Sequence, residues 1–415
     1  MLDVFGHSRQ QKGLELAATA KVEKKGSAWL VPSQSGKGRY TVIPHAETPH
    51  CSCADHEDGG HKCKHLFAVE YVLRREADGS TTVTETKVAI QQTVRKVYPQ
   101  NWRAYNAAQT NEKAKFQELL RDLCAGIVEP PQTSGRKRLP LQDVIFAAAF
   151  KVYSTVSGRR FMTDLRDAQA KGYLTKLPHY NSIFRYLENP ALTPILRDLI
   201  TESSLPLKAV ETDFACDSSG FTTSRFHRWF DHKYGVRQQH EWVKCHLMCG
   251  VKTHIVTAVE IKDKDASDTK LPPALVDATA KNFTLSEVSA DKGYGSLKNY
   301  KAIQYHGGVP YIAFKSIHTG RGGGLWSKMF HMFKFHQDEF AAHYHKRSNV
   351  ESTFSMIKAK FRDHVRSKSD VAMVNEVLCK ILCHNICVLI QESHELGIDT
   401  TFGAETSLAP ELVIQ

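Results

Sequence analysis

Cys51-Ser52-Cys53 is followed ten residues later by Cys63-Lys64-His65, so three thiols and an imidazole fall close together in the chain. Four such donors at this spacing suit a tetrahedral Zn²⁺ site, with His61 as an alternative fourth ligand to His65. A second set of residues offers oxygen instead of sulfur: Asp217, Asp291 and Glu351. Any one of them alone would be an ordinary surface acid. Their places in the hydropathy pattern set them apart. Asp217 ends the strand-like run that begins at Val210, immediately before the turn signal Ser218-Ser219-Gly220, and Asp291 follows the apolar run Leu285 to Ala290. Asp213 shares the strand face of Asp217 at a spacing of four, but it lies deeper in the strand, so Asp217 is the better candidate.

Glu351 belongs to the stretch Tyr344 to Lys358. At about 100° per residue, Tyr344, Arg347, Glu351 and Lys358 share one stripe of a helix. Val350, Phe354, Ile357 and Phe361 form a separate apolar stripe that can pack on a sheet and hold the polar one at its edge.

The elements needed to position these groups are legible. Strands are expected from Val210 to Asp217, Trp242 to Cys249, His254 to Ile261, Leu285 to Ala290 and Val309 to Phe314. Helices are expected over Pro273 to Lys281 and Leu297 to Tyr305, followed by a terminal helical set that contains Glu351. The order βββαβαβα is that of an RNase H-like α/β fold, a mixed five-stranded sheet with helices on its faces. It predicts that the three acids converge on one edge. Near the N-terminus, Ala28 to Pro32 and Arg39 to Ile43 read as a β-hairpin that runs into the Cys and His residues, and Leu66 to Leu73 reads as a helix, giving a small ββα zinc module. Between the two lies a helical region with amphipathic stretches at Lys113 to Leu123 and Leu141 to Tyr153, joined by a linker containing Gly135-Arg136-Lys137-Arg138. Arg159 to Ala170 and His179 to Leu187, separated by Lys171-Gly172-Tyr173, predict a helix-turn-helix whose Tyr180, Asn181, Ser182 and Arg185 could contact DNA. The expected domains are therefore 1–95 (zinc module), 96–205 (helical DNA-binding region), 206–395 (catalytic domain) and a tail at 396–415.

The pattern Y-x2-R-x3-E-x6-K at Tyr344, Arg347, Glu351 and Lys358 matches the signature of bacterial insertion-sequence transposases with a DDE triad. Asp217-Ser218-Ser219-Gly220-Phe221 resembles the first-Asp motif of that family, and Asp291-Lys292-Gly293-Tyr294 its second; the resemblance spans about residues 96 to 395. It implies that Asp217, Asp291 and Glu351 hold two Mg²⁺ ions, for which Mn²⁺ can substitute. It also implies that Arg347 and Lys358 contact phosphates of the element's end, with Tyr344 beside the cut. Oxygen ligands suit hard Mg²⁺, and a metal pair can activate an attacking hydroxyl and stabilise the leaving oxygen. The expected activity is nicking at the element's ends followed by strand transfer. The expected partner is double-stranded DNA, both element ends and target, bound by a homodimer. The C-x-C…C-x-H arrangement resembles a SWIM zinc finger over residues 25 to 75, which selects His65 over His61, and the zinc would be structural. The alternative is a catalytically inactive DNA- or protein-binding factor derived from such an enzyme.

The 415 residues carry a formal charge of +11, with 41% hydrophobic and 24% charged residues. This composition excludes a wholly disordered chain and favours a polyanionic partner. Residues 101 to 200 hold 15 basic and 9 acidic side chains, so the excess is concentrated there. No run approaches eighteen consecutive apolar residues and Met1 to His7 lacks a signal-peptide pattern, so neither export nor membrane spanning is expected, and the expected location is the cytoplasm, on the bacterial nucleoid. Ten cysteines in a reducing compartment point to metal binding or burial, and Cys379, Cys383 and Cys387 at helical spacing are expected in a core. Gly320 to Gly324 is expected to be a flexible connection before the Glu351 helix.

Overall fold

The computed structural model describes residues 4–34, 38–45, 48–77, 101–132, 134–135, 137–223, 242–262, 272–400 and 402. Arg136 of the basic linker and most of the expected tail lie outside these residues. The chain divides into two compact units, Met1–Tyr98 and Pro99–Gln415.

The first unit is larger than the expected hairpin and helix. Helix α1 (Val4–Thr19) precedes strands β1 (Glu23–Lys25), β2 (Ala28–Pro32), β3 (Arg39–Ile43) and β4 (His50–Cys51), which form an antiparallel sheet in sequential order. The short α2 (Ala54–Glu57) and α3 (Lys64–Ala77) follow. The alternation of β2 buries Trp29 and Val31 against Val42, Leu66, Val69 and Val72. Gly13 lets α1 approach α3 closely, since a Cβ there would meet Phe67 Cβ at 2.4 Å and the Lys64 carbonyl at 2.8 Å. A core this small leaves much of the folding free energy to come from elsewhere.

The second unit opens with α4 (Trp102–Ala125), α5 (Leu141–Ser154), α6 (Gly158–Ala170), α7 (Tyr180–Leu187) and α8 (Leu192–Ser204). Its sheet comprises β5 (Asp213–Thr222), β6 (Trp242–Gly250), β7 (Val256–Lys262), β8 (Glu287–Ala290) and β9 (Val309–Ile312), in spatial order β7-β6-β5-β8-β9. The β7-β6-β5 half is antiparallel and the β5-β8-β9 half parallel. The helices α9 (Pro272–Ala280) and α10 (Leu297–Tyr305) supply the crossovers, while α11 (Gly324–Phe335), α12 (Gln337–Tyr344), α13 (Ser348–Phe361) and α14 (Asp370–Glu395) complete the unit. This is a mixed five-stranded α/β architecture compatible with an RNase H-like fold.

Strand alternation sorts the sheet into two faces. Phe214 and Cys216 turn towards a core shared with β8, β9 and α9 to α12, whereas Ala215 and Phe221 turn towards one shared with α4 to α8, α13 and α14. Helix α14 is long and apolar enough to cross a membrane by composition, but 89% of its most apolar window is buried inside the protein. Cys379 and Cys383 lie fully buried on it.

Three expectations are corrected. No turn follows Asp217, because β5 continues to Thr222 through the pairs Ser218↔His246, Ser219↔Cys245 and Gly220↔Lys244. The Ser-Ser-Gly run is overridden by its ladder with β6. Gly220 answers a packing demand, since a Cβ there would sit 2.9 Å from the Trp242 ring. Next, Gly320 to Gly324 does not lead directly to the Glu351 helix: it forms a 3-10 turn and the start of α11, and α12 intervenes before α13. Finally, Tyr344 to Lys358 is not one regular helix. Tyr344 ends α12, His345 to Arg347 form a 3-10 turn, and α13 begins at Ser348.

Candidate active site

The five-stranded sheet explains how two distant acids meet. The last register pair of the parallel ladder is Cys216↔Ala290, so the next residues along the two strands are Asp217 and Asp291. Neighbouring strands lie about 4.8 Å apart, which fixes the two backbones side by side where β8 leaves the sheet. Asp217 shares the face of Ala215, the face on which α13 packs through Val350, Phe354, Ile357 and Phe361. That packing brings Glu351 to the same cleft. Asp217, Ser218, Ser219, Glu351, Ser355, Lys358 and Asp363 line an open groove of about 540 Å³.

The electrostatics show the same convergence. The Asp217 carboxyl is raised above the ordinary carboxylate range, first by burial and then by the charges of Asp291 and Glu351, with the Ser218 amide and Arg347 acting in the opposite sense. Arg347 donates to Glu351 Oε1 at 2.7 Å, and its guanidinium carbon lies 5.5 Å from the centre of the Tyr344 ring. Tyr344 is raised chiefly by burial, opposed by Arg347 and reinforced by Asp291 and Glu351. Lys358 donates to Ser219 Oγ at 2.6 Å and lies over the rings of Phe221 and Phe354, and burial lowers its pKa. Asp291 also caps the 3-10 turn at Lys292 to Tyr294, accepting from the Gly293 amide at 3.1 Å.

Asp213 has different company. Lys346 donates to both Asp213 and Glu287 at 2.7 Å, neutralising the acid that competed with Asp217. Sequence inspection missed three participants: Lys346, Ser219 as the acceptor for Lys358, and Asp363 on the groove wall. Only the even spacing of polar residues along β5 hinted at Ser219.

Helix α7 presents Asn181 and Arg185 outward and buries Ile183 and Leu187, and Arg159 lies 5.6 Å over the Tyr180 ring.

In the first unit, Cys51 on β4, Cys53 at the start of α2, Cys63 just before α3 and His65 in its first turn are all buried, and their ligand atoms lie within 4.8 Å of one another. The Nδ1 atom of His65 lies 3.8 Å from Cys51 Sγ and 3.9 Å from Cys63 Sγ. Hydrogen bonds from neighbouring thiols, Cys51 first, lower Cys63 to about 3, while Cys51 is held in the thiol form. A thiolate among thiols and an imidazole, closed off from water, fits a metal ion. His61 is not among them; it pairs with Asp55 at 3.0 Å.

Residues 208–386 match the family model described as Transposase DDE domain. No curated protein matches the chain. The matched stretch contains all five strands of the sheet, the groove and most of α14. That family points to a transposase, a nuclease-like enzyme that acts on DNA and uses divalent metals.

Proposed function

We propose that the protein is the DNA transposase of an insertion sequence, cutting at the element's ends and joining them to target DNA through one triad, Asp217, Asp291 and Glu351. The observation that supports this reading is the Cys216↔Ala290 register, after which Asp217 and Asp291 are the next residues of two neighbouring strands, while Asp217 and Glu351 line one groove.

Three carboxylates with mutually unfavourable charges form an oxygen donor set that suits Mg²⁺ or Mn²⁺. Bound there, a pair of such ions supplies Lewis-acid activation of the attacking oxygen and stabilisation of the leaving one. The protein's own groups do the positioning. Arg347 holds Glu351 in place, and Tyr344 and Arg347 form a stacked platform beside the carboxylates. Lys358 presents a cation on the far side of Ser219, where a scissile-strand phosphate would pass. The helices α4 to α8 include the helix-turn-helix candidate, which would read the element's ends as part of a homodimer on DNA. The Cys₃His group would hold structural Zn²⁺ in a SWIM-like module.

Supercoiled plasmid carrying the element's own ends, incubated with the protein and Mg²⁺, tests the reading. Nicked and joined products are expected from wild type and none from Glu351→Gln. Wild type that binds these ends yet leaves them intact with Mg²⁺ and with Mn²⁺ would favour the binding-factor alternative.

A further inference from the structure

Lys151 lies on α5 among Phe146, Ala147, Ala148, Ala149 and Phe150, all buried, and is itself only 8% exposed. Among the described residues its amine has no hydrogen-bond or ion-pair partner. The residue is 8% exposed, so in the cleft its ammonium keeps only part of the hydration it would have in open water, and the charged form is costlier there. Burial, together with the nearby cations Arg366 and Arg362 and against Glu376, lowers Lys151 to about 8. The local charge balance thus calls for an anion.

The space for one is present. Lys151, Arg362, Arg366, Lys368 and Lys380 line a cleft of about 440 Å³ whose wall also holds two acids, Glu188 and Glu376, so the cations outnumber the acids. The wall is built rather than incidental. Lys380, 1% exposed, donates to the carbonyls of Arg362 (3.0 Å) and His364 (2.6 Å). The Glu376 carboxylate accepts from the amides of Arg366 and Ser367, so this acid is engaged in holding the loop. Arg362 and Arg366 also donate to the Thr155 and Val156 carbonyls, which ties the loop to the end of α5.

The cleft adjoins the candidate active site. Thr222 of β5 pairs with residues 363 to 365, its amide donating to Asp363 O and its carbonyl accepting from Val365. Asp363 lines the active-site groove, whereas its neighbours Arg362 and His364 line the Lys151 cleft.

We infer that the cleft floored by Lys151 binds a backbone phosphate of the DNA strand that leaves the active-site groove. This rests on the transposase reading. The chemistry is that of a phosphate oxyanion received by an amine and two guanidinium groups, geometry that arginine supplies well.

The test uses the full-length protein and Lys151→Met, which keeps the length of the side chain and removes its charge. Fluorescence anisotropy on a labelled duplex of the element's end, without Mg²⁺ and over a KCl series, should show affinity lower by about tenfold. The slope of log K against log salt should fall by about one. Thermal melting should find Lys151→Met at least as stable as wild type, whereas Lys380→Met, which strips two carbonyls of their donor, should melt lower. That opposition separates a ligand-binding lysine from a structural one. Inorganic phosphate, compared with chloride at equal ionic strength, should raise the melting temperature of wild type and not of Lys151→Met. Unchanged DNA affinity and salt slope in Lys151→Met overturn the proposal. If phosphate alone discriminates the two proteins, the cleft serves a free phosphate and the DNA assignment is wrong. If wild type binds no DNA at any salt, the transposase reading fails instead, and the phosphate comparison tells that failure apart.

Discussion

Arg347 and Glu351 face each other one helical turn apart at 2.7 Å, the arginine in the 3-10 turn and the glutamate in the first turn of α13. Glu351 is 55% exposed, and an exposed pair of this spacing contributes only about 0.3 to 0.5 kcal/mol. The pair therefore does little for stability, while it orients the Glu351 carboxylate on the groove. Arg347→Ala should leave the melting temperature within about 2 °C of wild type. It should lower end cleavage by about 10² or more. Arg347→Lys should not restore activity, because it loses the planar fork. A cleavage rate near wild type in Arg347→Ala would show that Glu351 needs no such support.

The triad predicts a stability signature alongside its catalytic one. Asp217 has a raised folded pKa, so the native state binds more protons than the unfolded state just above the ordinary aspartate value of 3.8. Its contribution to stability therefore becomes less favourable as pH rises through that window, and at neutral pH the ionised group is a net cost. Asp217→Asn should melt higher than wild type at pH 7, with the difference shrinking as pH falls towards 4. Asp217→Asn, Asp291→Asn and Glu351→Gln should each abolish nicking and joining while keeping metal-free DNA binding. Asp213→Asn, whose partner is Lys346, should keep substantial activity. Divalent metal should raise the melting temperature of wild type and not of Asp217→Asn.

Lys358 is half-buried between Phe221 and Phe354, with its amine on Ser219. Lys358→Ala should weaken binding to the element's end and reduce the salt slope by about one. Anisotropy titrations at four or more salt concentrations check this, and superimposable curves would remove Lys358 from the DNA path.

For the first unit, purified protein should carry about one Zn²⁺ per chain. Cys63→Ser should lose it and unfold that unit, while the cooperative melt of the larger unit stays in place. Elemental analysis paired with calorimetry reads both. Zinc retained by Cys63→Ser, or none in protein purified without chelator, would exclude the Cys₃His site.

Burial lowers Lys151 and Lys380 to about 8, below the ordinary lysine value of 10.5. Between these limits the unfolded state binds more protons, so each lysine makes stability rise with pH. The groups facing Lys151 are Arg366, Arg362 and Glu376, and Lys380 and His364 line the same cleft. Lys151→Met should flatten the rise of melting temperature between about pH 8 and pH 10 relative to wild type. Parallel profiles would mean that the Lys151 amine keeps its ordinary pKa.

Much of this site was legible because strand and helix periodicities agree with the motif spacing. The hairpin at 28–43 and the strand before Asp291 appear where alternation and turn residues put them. The run at Ser218-Ser219-Gly220 misled because turn propensity is a local quantity, and pairing with β6 supplies hydrogen bonds that a turn cannot. The break between Tyr344 and Ser348 was hidden because a 3-10 turn between two helices preserves the wheel approximately. Strands β1 and β4 are too short to show a period. Lys151 left only one trace, a single cation inside Phe146 to Tyr153, which an amphipathic reading absorbs as a boundary residue.

Helix α14 extends over 26 residues. It runs through the core that α4 to α8 share with α13 and the sheet. A reader joined to its cutting edge by a hinge would tolerate variable distances between recognition sequence and scission point. If α7 reads the element's ends as proposed, reader and cutting edge belong to one compact unit and would act as a single gauge. Inserting or deleting a single base pair between the sequence held by α7 and the element's terminus would move the scissile phosphate by about 3.4 Å and turn it around the duplex axis, away from the carboxylates. The spacing within the terminal repeats should therefore be held to the base pair, as a length measured by the protein itself.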